Sequence, residues 1–168
     1  MEDWDQIFGD FGPVVWKQTR RMLGNASDAA DCFQTVMLEA FELSKRKKVR
    51  NWGPLLRRLA ILRSLDRLRA RYRERRDPRP VDEIAIAAKD SQASRSLDQH
   101  ELAERLRFAL TRLPENQAAA FSLRWVDGLS NEQVAERMQI TPNHVRVLLH
   151  RARLALQGLL SDEGENRS

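Results

Sequence analysis

Asn143, His144, Arg146, Val147, His150 and Arg151 stand at spacings that place most of them on the outer side of one α-helix. Their chemistry is that of base-edge readout. Arg offers guanine a bidentate pair, Asn does the same for adenine, and an exposed Val147 meets a thymine methyl. Arg153 on the same helix, and Arg124 upstream, are better placed for phosphate, which positions a duplex without specifying its sequence. A second set is the run Lys45, Arg46, Lys47, Lys48, Arg50, Asn51, followed by Trp52. Clustered cations suit a polyanion, and Trp52 fits a stacking face or a core position equally well.

The charge pattern has the same polarity. The chain carries 29 Lys+Arg against 24 Asp+Glu, a net charge of +5. Between Lys45 and Arg76 there are 14 Lys/Arg, opposed only by Asp66 and Glu74. From Asp77 to Glu104 the sign reverses, with seven acids against Arg79, Lys89 and Arg95. Arg146, Arg151 and Arg153 make the C-terminal segment basic again. Two basic blocks around an acidic stretch imply two polyanion-binding surfaces, with a solvated, Arg-rich helical face as the alternative for the first block alone.

Other function classes are excluded. Cys32 is the single cysteine, so there is no internal disulfide or cysteine-based zinc site, and packing is its expected role. The histidines are His100, His144 and His150, with no metal spacing, no convincing triad and no glycine-rich phosphate loop. No catalytic residue, cofactor, metal or small-molecule substrate is expected. The chain has no apolar run of the roughly 18–20 residues that a membrane span needs, and the acidic Met1-Glu2-Asp3-Trp4 start is not a secretory signal. A soluble, cytoplasmic protein is the expectation.

Apolar residues recur at helical spacing nearly throughout, so the fold class is all-α. The expected organisation is two small helical domains, residues 1–76 and 98–161, joined by a flexible acidic linker at 77–97 and followed by a frayed tail at 162–168. In the first domain, a helical stretch from Trp4 to Leu23 is interrupted around Gly9, Gly12 and Pro13. A second helix is capped by Ser27 and reaches about Leu43. Lys45 to Asn51 is a loop, and a long helix covers about Pro54 to Arg75. A helical turn is expected at Ile84 to Ala88. The second domain has helices at about 98–112, 115–126, 131–138 and 142–160.

The last two of these form a helix-turn-helix. Ser130 and Gln133 have capping-box spacing, Ala135 lets a second helix cross closely, and Ile140 plugs the turn. Thr141 caps the next helix and Pro142 takes its first position. Val145, Leu148, Leu149, Ala152 and Leu156 are its buried stripe, and its outer face carries the base-reading set. A plain helical hairpin with a basic face is the alternative. Gln139 occupies the turn position that often holds Gly, which implies mild left-handed strain.

Leu110-Thr111-Arg112-Leu113-Pro114-Glu115, Phe121-Ser122-Leu123-Arg124-Trp125-Val126-Asp127-Gly128-Leu129-Ser130 and His150-Arg151-Ala152-Arg153 closely resemble region four of bacterial RNA polymerase sigma factors. The size and the two helical blocks resemble the extracytoplasmic-function (ECF) group, which keeps only regions two and four. Asp28 to Phe41 is similar to the region-two helix that docks on the polymerase clamp. Leu59-Ala60, Arg63 and Asp66-Arg67-Leu68-Arg69 are similar to the promoter-melting helix. The resemblance implies that Asp31, Gln34 and Leu38 contact core polymerase. It implies that Lys45, Arg46, Lys47, Lys48, Arg50, Asn51, Trp52, Arg63, Asp66 and Arg67 serve the minus-ten element, and the base-reading set with Arg124 and Arg153 the minus-thirty-five element. The partners so implied are core RNA polymerase, promoter DNA and an anti-sigma factor, in a bacterial, nucleoid-associated setting. The chain departs from the family at Ile61-Leu62, where Arg-Asn is common, and Trp52 lies three residues early relative to Leu59-Ala60. A stand-alone helix-turn-helix regulator is the competing function.

Overall fold

The computed structural model describes residues 3–74 and 91–165, and within them seven α-helices, one π-helical turn and no strand. Arg75-Arg76, the linker as far as Asp90 with its Ile84 to Ala88 run, and the last three residues lie outside the described residues.

Helix α1 (Trp4–Leu23) is capped by Asp3, whose carboxylate accepts from the backbone N–H of Asp5 and Gln6 at 3.1 and 3.2 Å. The expected break at Gly9 to Pro13 is absent, and Pro13 lies inside the helix. An internal proline costs about 3 kcal/mol. Apolar anchors on both sides of it outweigh that cost: Trp4 and Ile7 before, Val15, Met22 and Leu23 after. Gly24, at φ 78°, ends the helix in the left-handed conformation.

Helix α2 (Ala26–Arg46) is capped by Asn25 rather than Ser27. The Asn25 backbone is extended, and its Oδ1 accepts from the Asp28 N–H at 2.8 Å. The helix passes the expected end at Leu43, so Lys45 and Arg46 are helical and the basic loop begins at Lys47. Lys45 is tied down there by Glu42 at 2.8 Å and by the Phe41 ring at 4.3 Å. Helix α3 (Trp52–Glu74) begins at Trp52, with Pro54 in its first turn, where a missing N–H is harmless. Trp52 is core: it is 9 % exposed and edge-on to Trp4 at 5.2 Å between ring centroids. Of its two readings, packing is the one realised, and it is not a free stacking face. Leu56, Leu59, Ala60 and Leu68 close the core of α1–α3 with Val15, Leu23, Cys32 and Val36.

Helix α4 (Ser91–Leu110) starts seven residues before the expected boundary, so the C-terminal end of the expected linker is helical. Helix α5 (Glu115–Phe121) runs into a π-helical turn at Ser122–Val126, where the expectation was one α-helix to 126. Helix α6 (Asn131–Met138) and helix α7 (Pro142–Glu165) complete the chain, and α7 takes in the first part of the expected tail. The turn between them follows the expected chemistry. Ser130 and Gln133 form a reciprocal capping box, and the Thr141 Oγ1 accepts from the His144 N–H at 3.2 Å. Gln139 is left-handed at φ 57°. Gln139→Gly is expected to stabilise the protein by about 0.5–1 kcal/mol, read as a Tm rise of a few degrees. An unchanged Tm would show that the Gln139 strain is already offset.

The two groups of helices share a seam. Ile61 and Leu65 of α3 and Met22 of α1 belong to the same apolar cluster as Leu113, Ala119, Leu123, Val134, Val145 and Leu148. Helix α3 therefore buries two sides, one toward α1 and α2 and one toward α4–α6.

Candidate nucleic-acid and protein interfaces

The outer face of α7 is laid out as its spacing implies. Val145, Leu148, Leu149 and Ala152 are buried, while Asn143, His144, Arg146, Val147, His150, Arg151 and Arg153 are exposed. Leu149 holds this face against the rest of the unit. Arg124, Asn131, Arg146, His150 and Arg153 surround one concavity of about 180 Å³. The π-helical turn places Arg124 there: its i→i+5 bond, from the Asp127 N–H to the Ser122 carbonyl at 3.1 Å, swings Trp125 outward. Arg153 lies over the Trp125 ring at 4.7 Å and Arg124 at 5.7 Å. Trp125 thus orients two cations beside the recognition face.

On α2, Asp31, Gln34 and Leu38 form an exposed ridge, with Leu38 65 % exposed. One flank is aromatic: Phe33 is edge-on to Phe8 and Trp16 at 5.7 and 6.1 Å. The other flank is a ladder of carboxylates on α2 facing arginines on α3. Arg63 donates to Glu39 at 2.7 Å and to Asp66 at 2.6 Å. Arg67 donates to Asp28 at 2.9 Å and to Asp31 at 3.4 Å. Arg71 donates to Asp28 and to the Leu23 carbonyl at 2.9 Å. Arg63, Asp66 and Arg67 are therefore engaged within this fold.

Asp28 is the hub of that ladder. Burial works against its charge, but hydrogen bonds from Arg67, Arg71 and Asn25 hold its pKa at about 2, below the ordinary 3.8 of an aspartate. Stability from this depressed carboxylate is present above the unfolded pKa and is lost as pH falls from about 3.8 through about 2. Asp28→Asn is expected to cost about 2 kcal/mol at pH 7, with the deficit shrinking to about a third of that at pH 2.5. Urea melts of both proteins at pH 7 and pH 2.5 would check this, and an equal deficit at both would refute it.

The residues missed by sequence spacing lie on the seam. Arg107 of α4 caps the C-terminus of α1, donating to the Met22 carbonyl at 2.8 Å and to that of Arg21 at 3.2 Å. Arg21 donates to the Val126 carbonyl at 2.9 Å. Asp127, with a side chain only 5 % exposed, faces Arg57 of α3 at 3.9 Å, and its Oδ2 accepts no hydrogen bond among the described residues. Burial pushes its pKa up to about 6, against the pull of Arg57, Arg21 and Arg137. Burial likewise raises the Cys32 thiol, which contacts Ser64 at 3.6 Å as a packing residue.

Comparison with known proteins falls on this geometry. Residues 103–156, from α4 through most of α7, match the family model of sigma-70 region 4. The chain is also similar to an ECF sigma factor. It is 27% identical over 161 residues to the ECF RNA polymerase sigma factor SigE of Mycolicibacterium smegmatis, covering 96% of this chain. The chain spans 63% of the length of that relative. In fold it is similar to the sigma factor RpoE solved in complex with the anti-sigma factor NepR from Bartonella quintana. The TM-score is 0.54 and the identity 23%, over 96% of this chain and 98% of the other. The matched segment contains the capping box, the π-helical turn and the exposed outer face of α7.

Proposed function

We propose that the protein is an alternative sigma factor. It binds core RNA polymerase through α2 and directs transcription initiation by reading promoter DNA with two units. The division is the one drawn from the sequence: a region-two-like unit at 1–76, a connector, and region 4 at 98–161. The supporting observation is the exposed recognition face of α7, with Arg124 and Arg153 held beside it by Trp125, inside the segment that matches region 4. Asn143, His144, Arg146, Val147, His150 and Arg151 read the minus-thirty-five duplex, and Arg124 and Arg153 hold its phosphates. The helix end at Lys45 and Arg46, the loop at Lys47, Lys48, Arg50 and Asn51, and the α3 residues Arg63, Asp66 and Arg67 serve the opened minus-ten strand. No chemistry is catalysed, and the setting is the bacterial cytoplasm at the nucleoid. An anti-sigma factor is a further partner.

On α2, Gln34 supplies an amide, Asp31 an acceptor and Leu38 an apolar contact at the centre of the docking ridge. Co-elution with purified bacterial core RNA polymerase tests the reading. The wild type is expected to co-elute, and a folded Gln34→Ala/Leu38→Ala variant to lose about ten-fold or more in affinity. A wild type that binds duplex DNA but not core polymerase would overturn it in favour of a stand-alone regulator.

A further inference from the structure

Most arginines of α3 are matched to acids. Arg57, Arg63, Arg67, Arg69 and Arg71 each lie within ion-pair distance of a carboxylate. A second group of cations has no such match. Lys47, Lys48, Arg50 and Arg58 on one side, and Arg137 of α6 on the other, line a single cleft of about 420 Å³ across the seam. Glu136 is the one acid in its lining. None of these five cations makes an ion pair among the described residues. The Arg137 Nε is buried without a hydrogen-bond partner.

A cleft with this charge works against its own closure. Like charges brought together from two packed units repel, and a buried guanidinium N–H without an acceptor costs free energy. The seam closes nonetheless, on the apolar packing of Met22, Ile61 and Leu65. An anion with several closely spaced charges would relieve both costs at once. It would accept from the forked guanidinium donors of Arg58 and Arg137 and from the lysines of the loop. A single monovalent anion would meet only one wall.

We propose that the cleft between the 47–51 loop, α3 and α6 is a binding site for a short oligophosphate that bridges the two units. Because the walls come from both units, the ligand binds the closed arrangement and stabilises it by mass action. Because Lys47, Lys48 and Arg50 also belong to the promoter surface proposed above, the ligand and an opened DNA strand compete for them. The site itself stands independently of the sigma reading, since it rests on the cleft and not on polymerase binding.

The test uses the full chain and inorganic tripolyphosphate, with orthophosphate at matched ionic strength and a single-stranded oligonucleotide as separate arms. Calorimetry is expected to show one saturable site for tripolyphosphate and a raised Tm. Arg58→Ala and Arg137→Ala, on opposite walls, are each expected to weaken binding by about ten-fold, while Arg20→Ala, which is not in the cleft lining, leaves it unchanged. Circular dichroism establishes that each variant is folded. Binding equally weakened by all three substitutions, or equal for orthophosphate, would reduce the effect to diffuse charge and overturn the proposal. Oligonucleotide binding that is insensitive to Arg137→Ala, with no tripolyphosphate site, would assign the loop cations to a nucleic-acid backbone alone and overturn it as well. Loss of polymerase binding in the α2 variants would not bear on either outcome.

Discussion

Asp127→Asn is expected to raise the Tm at pH 8 by about 5–10 °C, corresponding to about 2–3 kcal/mol, and to change it little at pH 4. The carboxyl is nearly enclosed at the seam, and its one ion-pair contact, Arg57, is 3.9 Å away. The attraction of Arg57, Arg21 and Arg137 does not offset the burial, so the folded pKa stands at about 6 against the ordinary 3.8. A raised carboxylate pKa destabilises the fold wherever the group is ionised. That penalty is full above about pH 6 and is relieved as pH falls from about 6 through 3.8. Asn keeps the shape and never carries the charge. The readout is the difference between variant and wild type, because Asp28 and Glu104, both lowered, change the stability of both proteins in acid. A Tm difference that is constant with pH, or absent at pH 8, would mean that the Asp127 carboxylate is adequately solvated. The same titration predicts a tighter seam in mild acid, measurable as a smaller radius of gyration.

The helix-turn-helix was legible because its signals are local. Ser130 with Gln133, Thr141 with Pro142, and the 145-148-149-152 stripe act within a few residues, and each is realised in the fold. Long-range compensation was not legible. Pro13 would end a helix on propensity alone, and packing from Trp4 to Leu23 carries α1 through it. Ser27 was the expected cap, but the helix starts two residues earlier, and Asn25, extended after the left-handed Gly24, caps it. The most informative departure was Ile61-Leu62. Where the family commonly carries a polar pair, this chain places Ile61 in the seam at 1 % exposure, and Leu62 lines the adjoining cavity. Two apolar residues at that point mark a second buried side of α3. Periodicity could not reveal it, because a helix buried on two sides lacks a single stripe. The Asp28 hub was hidden for a related reason. Its partners Arg67 and Arg71 are 39 and 43 residues away in sequence, and only the antiparallel packing of α2 on α3 brings them together.

Arg146→Ala and Arg153→Ala are expected to fail differently on DNA, and the difference separates reading from holding. Arg146 lies on the exposed face of α7 beside Asn143 and His150, where a major-groove helix presents its side chains to base edges. Its loss should cost about 1–3 kcal/mol on a duplex selected by the wild-type protein, roughly 10- to 100-fold, and should relax preference at one base position. Arg153 lies over the Trp125 ring a further two turns along, on the side shared with Arg124. A guanidinium held over an aromatic ring can still donate to a phosphate oxygen, and such a contact contributes little to discrimination. Its loss should weaken selected and scrambled duplexes alike, and lower the slope of log affinity against log salt by about 1. Fluorescence anisotropy over a salt series measures both effects on the same two duplexes. If Arg153→Ala altered base preference, or Arg146→Ala left it intact, α7 would dock in another register, and the Trp125 shelf would belong to the reading face. Trp125→Ala then discriminates further. A shelf that only orients phosphate contacts predicts the Arg153 pattern for this variant, with base preference retained, because the aromatic ring acts on DNA only through the cations it holds.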